Sequence, residues 1–334
     1  MTHSRPRMWL PAVIGLLVLA GGCSSTREPS PSNEPSNEPD AVSMTAYDAS
    51  APLLVEEAPA EIDADGVSLQ GVSWASPGGG RVSAWLVVPP GSGPFAGIVY
   101  LHGSETDRDD FRDEAVAMAH GGAVSLVIDA PFARTGDSRH NYLLNFGLPE
   151  RERDMTIQAI VDVRRAYDVL AARSDVDPAR LGFVGHSWGA SLGAVVAAVE
   201  PRPAALVLLS GRPSWTGFLR ESTDGWVDTY RELVGPERWE AYLTMMAPFD
   251  ALAVAGELDG ERIYLQYGRT DDVVPTSVSQ ALFDALPEAK TDLYDAGHAL
   301  DDTATADRAA WLVERLGLQA IGAEVLAEVG LPDE

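Results

Sequence analysis

The chain has 334 residues, 46% of them hydrophobic, enough to bury a sizeable core. Acidic residues number 50 against 24 basic ones, a formal charge of -26, and Lys290 is the only lysine. That balance excludes a nucleic-acid binder, since nothing here could neutralise a phosphate backbone. Through long-range repulsion it also disfavours anionic substrates, an effect that salt screens.

Arg5 and Arg7 precede an apolar run at residues 8–20, which is too short for a bilayer span of about 20 residues and reads as an export signal over residues 1–22. The run ends in Leu19-Ala20-Gly21-Gly22-Cys23, where Cys23 is the only cysteine. Small residues before a single cysteine resemble a bacterial lipoprotein signal, with Ala20 standing where that pattern usually has leucine. The resemblance implies lipidation at Cys23, a membrane anchor there and an extracytoplasmic location on the cell envelope, with plain secretion as the alternative. No second cysteine exists for a disulfide, so the fold must stand on its core. Residues 23–60, with the repeat PSPSNEPSNEPD, read as a disordered Pro/Ser/Glu-rich tether, which leaves 61–334 as the folded domain.

Within that domain, residues 67–74 and 82–88 flank Pro77-Gly78-Gly79-Gly80 and predict an amino-terminal hairpin. Residues 96–101 and 123–128 are short apolar runs of the buried-strand kind, separated by helical spacing over 111–120. A long amphipathic helix follows at 154–173, striped by Ile157, Ile160, Val161, Val163, Tyr167, Val169 and Leu170. Further strands are expected at 181–184, 204–209, 263–267 and 291–294, with a closing helix at 304–316. Strands alternating with helices predict an α/β fold, a mainly parallel, doubly wound sheet with an antiparallel amino-terminal edge. Residues 211–256 interrupt the alternation and predict a small helical cap insert. Most of its aromatics are expected to be packing residues. Trp215 and Phe218, nearest a strand end, are the candidates to face substrate.

The chemistry centres on Leu181–Ser191, LGFVGHSWGAS, in which a buried strand runs into a G-x-S-x-G pentapeptide and then a helix rich in small residues. Strand, sharp turn, helix is the setting of a nucleophile elbow, which would expose the Ser187 hydroxyl above the sheet. A serine hydroxyl needs a base and an acid that orients the base. His298, in YDAGHAL after the last strand, is the best-placed base, whereas His186 should point away from the serine. The acid comes from GRTDDVVP: Asp271 is preferred, with Asp272 the alternative if the turn were one residue longer. Asp129, also at a strand end, is expected to cap a turn or helix. The order serine, aspartate, histidine is that of one hydrolase fold among several. Oxyanion donors are expected from the backbone N–H groups of Trp188 and Ser104, the latter in the loop His102-Gly103-Ser104. His102 is a further candidate substrate contact. The acidic loop of Asp107, Asp109 and Asp110 lacks a calcium-loop spacing, and the chemistry calls for no metal or organic cofactor.

Leu101-His102-Gly103, Asp129 through Gly136-Asp137-Ser138, GHSWG, GRTDDVVP and AGH together resemble the α/β-hydrolase superfamily, especially its dienelactone-hydrolase-like and prolyl-oligopeptidase-like esterases. In that family the G-x-x-D-x-x-V-P pattern carries the acid, which favours Asp271. Dienelactone hydrolases proper use a cysteine where this chain has Ser187, so the resemblance implies a serine esterase acting on a small-molecule or polymer-derived ester. The alternatives are a peptidase or amidase of the same fold, weakened by the lack of a propeller-sized domain ahead of it, and an inactive surface binding lipoprotein.

Overall fold

The computed structural model describes residues 40–134 and 148–329. The export signal, Cys23 and Gly136-Asp137-Ser138 lie outside the described residues.

The strands are β1 (Glu56–Glu57), β2 (Glu61–Ile62), β3 (Ser68–Ala75), β4 (Arg81–Val88), β5 (Phe95–Leu101), β6 (Ala123–Ile128), β7 (Val176–His186), β8 (Pro203–Leu209), β9 (Ile263–Gly268) and β10 (Lys290–Tyr294). They form one sheet in the order β1-β3-β4-β6-β5-β7-β8-β9-β10, with β2 also paired to β3. Pairing is antiparallel from β1 to β6 and parallel from β6 through β10. The predicted hairpin is β3–β4, with Ser68 opposite Val88 and Ala75 opposite Arg81. Strands β5, β6 and β9 are buried almost throughout, as continuous apolar runs require in a sheet covered on both faces.

The helices are α1 (Ala41–Met44), α2 (Arg112–His120), α3 (Pro149–Ala171), α4 (Trp188–Val199), α5 (Trp215–Glu221), α6 (Gly225–Val234), α7 (Pro236–Met246), α8 (Ala251–Val254), α9 (Thr276–Ala285), α10 (Asp302–Leu316) and α11 (Ala323–Leu326). Apolar residues of α3 and α4 join one buried cluster with Phe183, Leu206 and Leu265. Those of α2 and α10 join a second with Ile98, Tyr100, Val127 and Val207. The fold is therefore the doubly wound α/β arrangement expected. α3 starts five residues ahead of the predicted boundary, because Pro149 fits the first turn, where no backbone donor is needed.

The insert is helical, as expected, and holds α5 to α8 between β8 and β9. Trp239, Tyr242, Met246 and Phe249 are buried in it, whereas Trp226 and Tyr230 are exposed. No helix among the described residues is long and apolar enough to cross a membrane.

One boundary needs correction. The tether was expected to run to residue 60, but from Asp40 the chain packs on the domain. Asp40 caps α1 by accepting from Ser43 N at 2.8 Å, Thr45 is fully buried, and Arg164 donates to the Thr45 carbonyl at 2.7 Å. Arg165 donates to the carbonyls of Ala49 and Ala51. β1 and β2 then extend the sheet edge through backbone pairing. Their residues are exposed, so hydrogen bonds rather than apolar burial hold them, and a reading based on composition does not register such a segment.

Candidate active site

Strand β7 delivers Ser187 and helix α4 starts at the next residue. Ser187 has φ 52° and ψ -113°, a conformation that side-chain-bearing residues rarely adopt and that costs about 1–3 kcal/mol unless its surroundings hold it. Here Ser187 N donates to the Leu209 carbonyl at 2.8 Å, and its own carbonyl accepts from Ser191 N at 3.0 Å. Gly189 makes the turn possible, since a Cβ there would lie 2.2 Å from the Leu101 carbonyl oxygen and 2.7 Å from that of His102.

His298 Nε2 lies 2.8 Å from Ser187 Oγ and its Nδ1 lies 2.8 Å from Asp271 Oδ2. Asp271 Oδ1 accepts from Val273 N at 2.8 Å and Val274 N at 2.7 Å, which fixes the carboxylate plane. A carboxylate only accepts, so Nδ1 of the neutral imidazole carries the proton and Nε2 accepts from the serine hydroxyl. Asp271 and His298 are buried. The structure thus brings together the three side chains singled out from the sequence, and selects Asp271, not the exposed Asp272.

His186 turns away from the serine hydroxyl, as expected, and sits under His298. Its Nε2 donates to the His298 carbonyl at 3.1 Å, and the two rings lie 5.0 Å apart. Burial, and next the neighbouring His298, push its pKa down to about 3, so it stays a neutral donor through the neutral range.

His102 is not a substrate contact. Its ring is fully buried, Nε2 accepts from Ala130 N at 2.9 Å, and Nδ1, which therefore holds the proton, donates to the Gly103 carbonyl at 2.7 Å. It braces the loops that follow β5 and β6, a role that depends on a long-range partner and leaves no local signal. Asp129 was expected to cap a turn or helix, but Asp107 caps the turn at Arg108; Asp129 instead ties strands together, accepting from Ser83 Oγ at 2.5 Å and from Arg108 N at 3.0 Å.

Ser187 opens into a cavity of about 260 Å³ whose wall includes Ser104, Trp188 and Trp215. Trp188, as the first residue of α4, has an N–H without an intrahelical acceptor. Trp215 lines the cavity as predicted. Phe218 does not, but packs behind Trp215 with ring centroids 5.5 Å apart. Glu152, Thr156, Arg212, Met246, Phe249 and Asp250 also line the cavity and were not foreseen. Only Arg212 carried a readable hint, its place just after a strand's carboxyl end. Among the described residues no group of three or more His, Cys, Asp or Glu side chains is arranged to hold a metal.

This sheet, with a strained serine at the end of β7 and an aspartate–histidine pair delivered by the loops after β9 and β10, defines an α/β-hydrolase. More narrowly, the acetyl xylan esterase (AXE1) family model matches residues 47–314, and the chain belongs to that family. It is similar to an acetyl xylan esterase from Paenibacillus sp. R4, with a TM-score of 0.69 and 21% identity over 82% of this chain and 92% of that one. Acetyl xylan esterase 1 from Thermoanaerobacterium sp. JW/SL YS485 gives a TM-score of 0.68 and 19% identity over the same shares. An uncharacterised protein of Mycobacterium tuberculosis is 29% identical over 215 residues, 64% of this chain, and the match spans 65% of that relative's length.

Proposed function

We propose that this protein hydrolyses carboxylic esters of short acyl groups, acetyl above all, through an acyl-enzyme on Ser187. The observation that carries the reading is the unbroken hydrogen-bond chain from Ser187 through His298 to Asp271 at the wall of a cavity. Family membership supports the ester class, and the names of the two similar structures support acetyl.

Ser187 Oγ attacks the ester carbonyl as His298 Nε2 takes its proton, and Asp271 stabilises the imidazolium that forms. The N–H groups of Trp188 and Ser104 stabilise the tetrahedral oxyanion, each such donor being worth about 3 kcal/mol in the transition state. His298 returns the proton to the departing alkoxide. Water, deprotonated by the same imidazole, then releases the acid.

The test is a fluorophosphonate probe on the purified chain lacking residues 1–38, followed by mapping of the adduct. A single adduct on Ser187 is expected, together with p-nitrophenyl acetate turnover that falls at least 10³-fold in Ser187→Ala. A folded protein that takes no adduct would sink the reading in favour of a binding protein.

The lipoprotein-like start supports a further part of the proposal, that the enzyme works outside the cytoplasm, tethered through a lipid on Cys23. Full-length protein expressed in a bacterium should sediment with membranes, and Cys23→Ser should move it to the soluble fraction. Equal partitioning of the two would leave secretion as the better account.

A further inference from the structure

Arg212 is poorly accounted for by the fold. It follows Ser210, whose φ is 51°, and Gly211 at the carboxyl end of β8. Gly211 lies against the elbow helix, since a Cβ there would meet Ala190 Cβ at 2.8 Å and Ser191 N at 3.0 Å. Arg212 N donates to Ser191 Oγ at 2.8 Å, and that hydroxyl donates to the Ser187 carbonyl at 3.1 Å. One serine side chain thus separates the Arg212 backbone from that of the nucleophile.

The guanidinium stands 3.9 Å over the Phe218 ring and 6.0 Å from that of Trp215, and it lines the Ser187 cavity. Nη2 spends a hydrogen on the Val273 carbonyl at 2.5 Å. Stacking occupies the face of the fork and leaves Nε–H, the Nη1 hydrogens and the second Nη2 hydrogen, so that one edge, Nη2 with either Nε or Nη1, can still meet a planar anion.

No carboxylate takes them. In a chain with 50 acidic and 24 basic residues, Arg173, Arg202 and Arg308 all hold carboxylates within 2.7 Å, yet Arg212 makes no ion pair among the described residues. The carboxylates nearby are committed. Asp250 accepts from Ser214 Oγ, Trp215 N and Thr216 Oγ1, Glu152 accepts from Tyr242 OH, and Asp271 holds His298. Glu105, on the rim, and Asp224, whose charge reaches Arg212 without an ion pair, are exposed to water. Burial lowers the Arg212 pKa from its usual value, and the charges of Asp271 and Asp224 offset this only in part, so the cation is partly desolvated with no carboxylate in contact.

We infer that Arg212 is a specificity residue, and that the ester turned over at Ser187 carries a carboxylate, which the Arg212 guanidinium binds through its free edge. This rests on the esterase reading above. It also runs against the protein's overall charge of -26, which by itself would repel an anionic substrate. A preference for anionic esters would therefore have to arise locally, and Arg212 is the cation that lines the cavity among the described residues.

Two matched pairs of esters test it. Mono(4-nitrophenyl) succinate against methyl 4-nitrophenyl succinate places the charge on the acyl side. 4-Acetoxybenzoate against methyl 4-acetoxybenzoate places it on the leaving group. The wild-type ratio of kcat/KM, anionic over neutral, should reach about tenfold in one pair, the size of one charge-assisted contact. Arg212→Gln should return that ratio to about one or below, mainly through KM, and Arg212→Lys should restore part of it. The ratio is internal to each variant, so a loss of folded protein cancels. Wild-type ratios at or below one in both pairs, or a ratio unchanged in Arg212→Gln, would overturn the inference while leaving the esterase intact. Turnover of none of the four esters overturns both.

Discussion

Asp271→Asn should lower kcat on a neutral acetate ester by about 10⁴-fold, with little change in KM or melting temperature. The size follows from how the carboxylate is held. Oδ1 accepts from the N–H groups of Val273 and Val274, so an asparagine keeps its carbonyl oxygen there and turns its amide NH₂ toward His298. Nδ1 must then accept, which moves the imidazole proton to Nε2. In that tautomer Nε2 cannot take a proton from Ser187, although every heavy atom stays in place. Asp272→Asn is the matched control, since Asp272 is exposed, and should stay within about twofold of wild type. Stopped-flow turnover and thermal melts of both variants check this. If Asp271→Asn kept a tenth of the wild-type rate, the tautomer would not be what Asp271 controls.

The turn's own spacing left Asp271 and Asp272 both open, and the family's G-x-x-D-x-x-V-P pattern favoured Asp271, but the three positions themselves were legible for a local reason. Ser187, Asp271 and His298 each sit in a turn directly after a strand, and turns carry local signals in glycine, proline and residue spacing. β5, β6, β8 and β9 were readable because strands covered on both faces are continuous apolar runs. What was missed depends on contacts distant in sequence. His102 is set by Ala130, 28 residues away, and the paired segment at 40–62 is held through arginines of α3 more than 100 residues on. α9 hides behind Pro275, with only Ser279 and Leu282 buried to mark its inner face. The vacant edge of Arg212 leaves no trace in its own neighbours, because the absence of a partner is not a sequence pattern.

The other large effect is on stability, and it lies between α10 and α2. Arg308 on α10 donates through Nε at 2.9 Å and Nη2 at 2.6 Å to Glu114 Oε2 on α2, with both side chains 1% exposed. Tyr100, a member of the buried apolar cluster under α2 and α10, feels both charges, and both side chains are closed off from water that could replace a missing partner. Glu114→Ala or Arg308→Ala would each strand a charge in that apolar layer and should cost about 3–5 kcal/mol in urea titrations at neutral pH. Glu114→Leu with Arg308→Met removes both charges and should cost much less than either alanine variant, because the penalty comes from the orphaned ion rather than from loss of the pair. Buried atoms already without a hydrogen-bond partner, Glu114 Oε1, Arg308 Nη1 and Tyr100 OH, mark the network as only partly satisfied, which favours the apolar replacement. Activity should follow the same order, since α10 begins four residues after His298 and is tied to β9 by Gln266 Nε2 donating to the Ala304 carbonyl at 2.9 Å. An alanine variant within 1 kcal/mol of wild type would mean that water or a shifted side chain reaches the pair, and that the layer between α10 and α2 is less closed than its burial implies.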